Sequence, residues 1–337
     1  MLKLAVRPRR AAFGWTLAAG AAVMAGMFVV SLVYGAADIP FRDVWKALFS
    51  REVNDRILII REIRLPREIA AMAVGAALAT AGAIMQGMTR NPLADPGLLG
   101  ITAGANLALA IGFAFFPSLG YFGMTVAGAI GAALGMLLVL GLGASRRDGW
   151  SPLRLVLAGS SVSFFLYALA DAIGIAFKVS KDVSMWTAGG IMGTTWRQLD
   201  VVLPVVVAGL IAAMLYARQL MVLSLSEDVA VGLGQRTALV KAVLSCVVIL
   251  LAGVSVALVG NMAFIGLMVP HIARALVGTD YRRVLPMAAV AGASLLLLAD
   301  TLARTIGKPY EVPTAAIIAV LGIPFFLIIA RQGGQRS

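Results

Sequence analysis

Charged residues are scarce in this chain of 337 residues, since Asp, Glu, Lys and Arg together make up 13% of it. Soluble globular domains average about 25% charged residues. Hydrophobic residues make up 61% of the chain, so a water-soluble fold would expose apolar side chains over much of its surface. A lipid bilayer removes this problem because it solvates apolar side chains. The composition therefore predicts a membrane protein and disfavours a soluble domain.

Cysteine and histidine are almost missing. The chain contains one cysteine, Cys246, and one histidine, His271. A single cysteine excludes a disulfide within the chain and a metal site built from cysteines alone. A single histidine excludes the HExxH motif of zinc proteases. We therefore expect no metal centre and no cofactor, and we expect Cys246, which lies in an apolar run, to be packed in the interior.

Motifs of catalysis are missing as well. The sequence has no phosphate loop of the form GxxxxGK[ST], so the chain is not expected to hydrolyse ATP by that route. It also has no GxSxG nucleophile elbow, so we expect a protein that is not an enzyme. No repeated filter sequence or ring of acidic residues lies inside the apolar runs, which disfavours a channel.

The net charge of +12 is compatible with nucleic-acid binding by its size alone. However, the basic residues do not form one stripe with aromatic neighbours, which such a surface would need. They form short clusters between apolar runs, and more than half fall on the side that holds the N-terminus. Because cytoplasmic loops of membrane proteins are enriched in Lys and Arg, we expect both termini in the cytoplasm and no nucleic-acid partner.

Apolar runs predict about ten membrane-spanning helices, since one span needs roughly 20 mainly apolar residues. The first run is longer than the core of a usual signal peptide, so we interpret it as a span. The eighth is short and contains Pro270, which indicates a broken or half-length helix. The expected spans, in one transmembrane domain over residues 1–337, are residues 11–33, 65–88, 98–116, 121–143, 152–178, 199–216, 239–260, 262–276, 285–306 and 312–330.

An internal repeat is visible in glycine and proline positions. Four residues in the first half are matched by the same residue type at a constant separation in the second half. The residues of the first half are Gly75, Gly82, Pro92 and Gly100, and their matches in the same order are Gly253, Gly260, Pro270 and Gly278. The matches predict that helices 2–5 and 7–10 form inverted repeats, an architecture in which transporters place the path between the two halves. Coincidence in a chain with 36 glycines is the alternative.

A series of ordered motifs resembles the FecCD family of permeases, from about residue 60 to residue 331. The matching segments are RLPR at 64–67, GAAL at 75–78, Gly82, Gln86, RNPLADPGLLG at 90–100, GNMAFIGLMVPHIAR at 260–274, DTLAR at 300–304, EVP at 311–313 and GIPF at 322–325. These motifs are long and occur in the order of the family. The sequence is therefore similar to this family in both halves.

This resemblance implies ten helices in each subunit and two permease subunits, either identical or paralogous, around a central path. It also implies two cytoplasmic ATP-binding subunits, an external substrate-binding protein and the inner membrane of a bacterium. Family members import ferric siderophores, haem or cobalamin. The chain is thus expected to form the path of an ABC importer, while a partner subunit hydrolyses ATP.

The loop between the sixth and seventh spans predicts a short helix. Ser226 offers an N-cap, acidic residues follow in the first turn, and a glycine ends the helix. The resemblance implies that this helix couples the permease to the ATPase. The expected coupling residues are Ser226, Glu227, Asp228, Val229, Ala230, Val231, Gly232, Leu233 and Gly234. An ordinary surface loop is the alternative.

Arg64, Arg67 and Arg304 are expected at the external surface. The resemblance implies that they meet acidic residues of the binding protein, since a guanidinium group can grip a carboxylate through two hydrogen bonds. One alternative is contact with lipid head groups. For Arg304, a pair with Asp300 four residues earlier is another.

The resemblance places the path along the fifth, eighth and tenth spans. Candidate path or gate residues are Ser151, Pro152, Ser160, Ser161, Ser163, Asp171 and Asn261. Asp171 is a charge in an apolar run, where ionisable groups are often functional, although an interface-exposed acid is an equal alternative. The two prolines of residues 90–100 predict a tight turn, in which Asp95 is a candidate cap for the third span.

Residues 86–92 and 180–190 resemble siderophore permeases more than haem or cobalamin permeases. We therefore expect a ferric siderophore as the substrate, and the chelator itself supplies the iron ligands. A haem or cobalamin permease stays open as an alternative. A secondary transporter driven by an ion gradient is the alternative of a different class, since it too is compatible with inverted repeats.

Overall fold

The computed structural model describes residues 10–35, 39–144, 152–188, 190–308 and 310–334. Within these ranges every regular element is a helix. An α-helix satisfies its backbone N–H and C=O groups internally, which is required of a segment that crosses lipid. The all-α membrane fold expected from the sequence is confirmed.

The α-helices of the described chain are α1 (Arg10–Val33), α2 (Phe41–Phe49), α3 (Asp55–Leu58), α4 (Leu65–Thr89), α5 (Ile101–Phe115), α6 (Gly120–Ala144), α7 (Pro152–Ala176), α8 (Ser180–Ala188), α9 (Trp196–Leu215), α10 (Ala217–Leu223), α11 (Glu227–Gly232), α12 (Thr237–Val259), α13 (Ile265–Val277), α14 (Tyr281–Ile306) and α15 (Thr314–Gly334). A π-helical turn, Ile59–Arg64, joins α3 to α4. Short 3-10 turns at Pro96–Leu99 and Pro117–Leu119 precede α5 and α6.

Seven segments of the described chain are long and apolar enough to cross a membrane, so this is a multi-pass membrane protein. Three shorter apolar helices, in α5, α13 and α15, accompany them. α13 is short because it begins only at Ile265, after Phe264 in a left-handed conformation with a φ of 68°. The positions of the bilayer boundaries within these helices stay a prediction.

α4 lies at the centre of the bundle, where it packs against α9, α12, α13 and α14. Nearly all of its residues from Ala70 to Met88 are buried. α4 packs most extensively against α14, and α12 packs against α6. If the predicted spans 2–5 and 7–10 form an inverted repeat, α4 corresponds to α12 and α6 corresponds to α14. The pair of α4 with α14 is then equivalent to the pair of α12 with α6. The packing agrees with the repeat, whose symmetry stays a prediction.

Glycine allows α4 and α13 to cross in close contact. A Cβ atom added at Gly82 would overlap the carbonyl oxygen of Gly266. One turn further along α4, the Gln86 amide donates to the carbonyl oxygens of Gly266 at 3.3 Å and Leu267 at 3.1 Å. Small residues and interhelical hydrogen bonds stabilise helix packing in lipid, where the hydrophobic effect between helices is absent.

Replacement of Gly82 by alanine is expected to lower the free energy of unfolding by about 1–3 kcal/mol, because the methyl group fits only if one backbone moves. Thermal unfolding of the purified protein in detergent measures the effect. Gly26→Ala on α1 is the matched control, since a Cβ atom there meets nothing within 4 Å. The same unfolding temperature for both variants would contradict this prediction.

The segment before α4 carries an amphipathic helix, α2. Val44 and Ala47 are buried on one side of α2, while Phe41, Trp45 and Phe49 are exposed along the other. The aromatic residues are spaced by four, which places them on one stripe of the helix. Aromatic stripes of this kind are typical of helices that lie in the membrane–water interface.

Cys246 differs from the expectation, because it lies on an exposed face of α12. An apolar run predicts a buried cysteine in a soluble protein, because the interior is then the one apolar environment. In a membrane protein, lipid and neighbouring subunits also accept apolar surface. An apolar run therefore does not distinguish a core position from a position on the outside of the bundle.

Candidate functional site

Arg64, Arg67 and Arg304 lie together at one end of the bundle, called here the arginine end. Arg64 closes the π-helical turn and Arg67 follows in the first turn of α4. Arg304 lies in the last turn of α14. α4 and α14 pack in opposite directions, so the start of α4 meets the end of α14. The fold thus brings together three arginines from the two halves of the sequence.

Arg67 binds two carboxylates at once. Its Nε and Nη2 atoms donate to Asp300 over distances of 2.9–3.2 Å, and its Nη1 atom donates to Glu311 Oε2 at 2.8 Å. Asp300 also accepts a hydrogen bond of 3.0 Å from Thr314 Oγ1. Charge-assisted bonds of this kind are the strongest hydrogen bonds in proteins. The start of α15 is thereby tied to α4 and α14.

Arg304 completes the cluster from the other side. It forms an ion pair with the buried Glu68 of α4, and its Nε atom lies 2.9 Å from Asp300 Oδ2. Its Nη2 atom also donates to the carbonyl oxygen of Ser31 in α1 at 3.1 Å. Arg304 therefore connects α14 to both α4 and α1.

Arg64 is directed to the end of α1. Its Nη1 atom donates to the carbonyl oxygens of Leu32 at 2.6 Å and Val33 at 3.1 Å. Arg64, Arg67 and Arg304 are only 6%, 7% and 3% exposed. Their guanidinium groups are bonded inside the chain, as buried charges require, and are not exposed to solvent. That this end of the bundle forms the external surface stays a prediction. Their docking role stays a prediction.

Glu68 and Glu311 are members of this cluster that sequence reasoning missed. For Asp300, the sequence does indicate a pair with Arg304, because the two residues lie one helical turn apart. Glu68 and Arg304 are separated by 236 residues, and Glu311 and Arg67 by 244 residues. No local sequence pattern predicts a contact between residues so far apart in the sequence. The available signals were that Glu68 directly follows the RLPR motif and that Glu311 begins the EVP motif.

A cavity of about 320 Å³ lies among α5, α7, α12 and the segment that leads into α13. Three of the predicted path residues line it: Ser160 and Ser163 from α7, and Asn261 from that segment. Asp95 and Thr102 also line the cavity and were not predicted to belong to the path. Hydroxyl, amide and carboxylate groups from separate parts of the chain thus face one space.

A second cavity, of about 450 Å³, lies between the end of α4 and the start of α7, and residues of α13 and α15 also line it. Asp95 and Ala263 line both cavities, so the two spaces are adjacent. Asp95 Oδ1 accepts a hydrogen bond of 2.7 Å from the N–H group of Gly97. It therefore caps the 3-10 turn before α5, close to the cap position expected from the sequence.

Two of the other predicted path residues, Ser161 and Asp171, are not among the described residues that line these cavities. Ser161 and Asp171 lie on an exposed side of α7. Pro152 is the first residue of α7, and Ser151 lies outside the described residues. Consecutive residues of a helix point in different directions, so the run of serines at 160–163 places only part of its hydroxyl groups toward one space.

α11 is the short capped helix that the sequence predicts. Ser226 Oγ accepts a hydrogen bond of 3.0 Å from the N–H group of Val229. At the other end Gly234 has a φ of 76°, and the N–H group of Gln235 donates to the Ala230 carbonyl oxygen at 2.9 Å. This is the Schellman arrangement, in which a glycine at the left-handed position satisfies the last carbonyl groups of a helix.

α11 is attached firmly but exposes apolar side chains. Lys241 Nζ of α12 donates to Glu227 Oε1 at 2.6 Å, and Ala230 is the residue of α11 that is fully buried. Val231 and Leu233 are 58% and 68% exposed. Exposed apolar residues on a rigid helix are typical of a surface that fits a groove of another protein. The predicted coupling residues therefore form one capped helical segment with exposed apolar side chains.

Comparison with known proteins gives the following matches. The model of the FecCD transport family matches residues 23–332. The iron(3+)-hydroxamate import system permease protein FhuB of Bacillus subtilis (strain 168) is 46% identical over 304 residues, which cover 90% of this chain and 79% of that protein. The Fe(3+)-citrate import system permease protein YfmD of the same organism is 41% identical, with 90% of each chain covered. The hemin transport system permease protein HmuU of Yersinia pestis is 39% identical, with 90% and 91% covered.

A solved structure has the same fold. It is described as an inward-facing conformation of a metal-chelate type ABC transporter, and it superposes with a TM-score of 0.81 over 95% of this chain and 99% of that one, at 24% identity. The region matched by the family model includes the arginine end, both cavities and α11. The chain therefore belongs to the FecCD transport family, a family of ABC transporter permease subunits.

Proposed function

We propose that this chain is the permease subunit of an ABC importer that carries iron bound to a siderophore across the inner membrane of a bacterium. The observation that carries the proposal is the family match over residues 23–332, with relatives named for import of iron(3+)-hydroxamate and Fe(3+)-citrate. Energy comes from ATP hydrolysis on a separate subunit, because the chain has no phosphate loop. The chain itself is not an enzyme.

In the proposed orientation both termini lie in the cytoplasm. The clusters of Lys and Arg support this side for the N-terminus. The arginine end then faces outward, and α11 lies at the cytoplasmic face. α11 serves as the coupling element, since its exposed Val231 and Leu233 suit a groove on an ATP-binding subunit.

The proposed assembly contains two permease subunits, two ATP-binding subunits and an external binding protein. The path runs between the permease subunits, along the two adjacent cavities. Ser160, Ser163 and Asn261 offer hydrogen bonds to a passing chelate without binding it tightly. A path with few strong contacts suits a bulky substrate that has to be released on the far side.

Haem is the second candidate substrate, because HmuU is named for hemin transport and is 39% identical to this chain. Substrate class is tested by uptake of radioactive iron in cells that lack this permease and regain it from a plasmid. We expect uptake of ferric hydroxamates or ferric citrate to return. Growth restored by haem alone would favour the haem permease.

The energy source is tested with purified protein. We expect the chain alone to show no ATPase activity, and the complex with its ATP-binding subunit to hydrolyse ATP. The control for contaminating ATPases is a complex in which the phosphate-loop lysine of the ATP-binding subunit is replaced by alanine. ATP hydrolysis by the isolated permease, or uptake that follows an ion gradient without ATP, would overturn the proposal.

A further inference from the structure

α2 is fixed to the arginine end of the bundle by packing and by hydrogen bonds. Arg61 of the π-helical turn donates from Nε to the Ala47 carbonyl oxygen at 2.8 Å and from Nη2 to the Ser50 carbonyl oxygen, so it holds the last turn of α2. The buried apolar cluster that includes two residues of α2 consists of Leu32, Ile39, Val44, Ala47, Ile57 and Ile60. These contacts fix the rotation of α2 about its own axis, so each of its faces has a defined direction.

Three sectors divide the circumference of α2. Successive residues of an α-helix are rotated by about 100°, so residues of one sector recur at intervals of three or four. One sector is buried against the bundle, one is apolar and exposed, and one is polar, and each covers about a third of the circumference. In this order the sectors contain Val44 and Ala47, then Phe41, Trp45, Leu48 and Phe49, and then Arg42, Asp43 and Lys46.

The exposed apolar sector is large. Phe41, Trp45 and Phe49 are 57%, 58% and 70% exposed, and the rings of Trp45 and Phe49 contact each other with centroids 4.5 Å apart. In water such a surface is unfavourable, since burial of apolar surface contributes about 25 cal/mol per Å². A helix at the surface of a soluble protein has two faces, one toward the core and one toward water. The additional apolar face of α2 therefore indicates a second apolar environment beside the protein interior.

The position of α2 supplies that environment. α1 is long and apolar enough to cross a membrane, and it ends at Val33. The Ile39 N–H group donates to the Val33 carbonyl oxygen at 3.1 Å, so the chain turns back and α2 begins close to the end of α1. Val44, in the middle of α2, shares a buried cluster with Leu32 in the last turn of α1. The whole of α2 therefore lies at the level where a membrane span ends.

We propose that α2 is a membrane-surface helix whose exposed apolar sector inserts into the head-group region of the lipid leaflet at the arginine end. Interfacial helices of this kind bury their apolar face by about 5–10 Å at the boundary between head groups and acyl chains. Trp45 suits this depth because an indole ring has a large apolar surface and one polar N–H group. The polar sector then faces water, where Lys46 pairs with Glu52 at 2.6 Å.

A second tryptophan supports the same level for the bilayer surface. Trp196, the first residue of α9, is 38% exposed, and its Nε1 atom donates to the Arg61 carbonyl oxygen at 2.9 Å. Since Arg61 also holds the last turn of α2, Trp45 and Trp196 belong to one connected region. Tryptophan is enriched at membrane–water interfaces. Contact of α2 with lipid thus sets the depth of the arginine end in the membrane, and it depends on neither the substrate nor the source of energy.

The first test is the accessibility of spin labels in lipid nanodiscs that contain the full chain. Cys246→Ser removes the one native cysteine, and Trp45→Cys or Arg42→Cys then adds a labelling position in the apolar or the polar sector. Oxygen concentrates in lipid, while a charged nickel chelate stays in water. We expect the label at position 45 to favour oxygen over the nickel chelate severalfold. The label at position 42, the matched control on the same helix, should show the reverse.

Other results of this experiment identify other occupants of the apolar sector. A label at position 45 that favours the nickel chelate would place the sector in water, as expected for a surface on which a soluble protein docks. Shielding of that label from both reagents would mean that a second copy of the chain covers the sector. Equal preferences at positions 45 and 42 would show that the two sectors share one environment. Each of these results would overturn the proposal.

The second test is quenching of tryptophan fluorescence by brominated lipids, which needs no added label. The fluorescence that Trp45→Phe removes from the wild-type protein isolates the contribution of Trp45. Lipids brominated near their carbonyl groups are expected to quench this contribution about twofold more than lipids brominated near the chain ends, since the ring lies at the interface. Stronger quenching by the deep bromine atoms, or none by either lipid, would contradict the proposed insertion.

Discussion

Replacement of Asp300 by alanine is expected to lower the free energy of unfolding by about 3–5 kcal/mol, the usual effect of removing one partner from a buried ion pair. Asp300 is fully buried and joins Arg67, Arg304 and Thr314. Without it, two arginines lose a shared carboxylate and the start of α15 loses its anchor. Thermal unfolding in detergent and the amount of protein in the membrane measure the effect.

Asp182→Ala is the control for this prediction, because Asp182 is an exposed acid of α8. It should change the unfolding temperature little, as surface substitutions usually do. If both variants unfold at the same temperature, the cluster does not hold the arginine end together. A double variant gives a further test. Asp300→Ala combined with Arg67→Met should recover part of the loss, since it no longer leaves the buried Arg67 with Glu311 as its one partly exposed carboxylate among the described residues.

Replacement of Gly234 by valine is expected to reduce ATP-driven uptake roughly tenfold or more. A tenfold loss corresponds to a weakening of the contact with the ATP-binding subunit by about 1.4 kcal/mol. Gly234 has a φ of 76°, which a β-branched residue adopts only under strain. The change therefore distorts the end of α11 and displaces the exposed Leu233. Uptake of ferric siderophore and co-purification of the ATP-binding subunit measure the loss.

Gly278→Val is the matched control for the coupling prediction. Gly278 has a φ of 84° in the turn between α13 and α14, and a Cβ atom there meets nothing within 4 Å. The control thus strains the backbone without touching α11. Equal losses of uptake in the two variants would show that backbone strain, and not the coupling helix, causes the defect.

Burial of the arginines changes how charge reversal at the arginine end should be interpreted. Arg67→Glu would place a fourth carboxylate beside Glu68, Asp300 and Glu311, which the fold already holds close together. Such a variant is expected to fail in folding before it reports on docking, because like charges in a buried site are strongly unfavourable. Glu311→Gln avoids this problem, since it removes a partly hydrated charge and adds none.

Local features of the fold could be predicted because they depend on neighbouring residues. Ser226 and Gly234 flank α11 as the sequence predicts, since caps depend on residues within one or two helical turns. Pro270 lies in the short helix α13, where the sequence predicts a broken or half-length span. Cys246 could not be placed, because an apolar run does not specify whether lipid or protein covers it.

An all-helical membrane protein of the FecCD type follows from the amino-acid sequence, because composition, the length of apolar runs and the order of motifs are read directly along the chain. The partners of the functional groups, by contrast, depend on how helices distant in the sequence pack together. Arg67 and Asp300 are separated by 233 residues, and their contact exists because α4 and α14 pack in opposite directions. The same packing decides that Ser163 faces a cavity while Ser161 does not, and that Glu311 is the most exposed acid of an otherwise buried cluster.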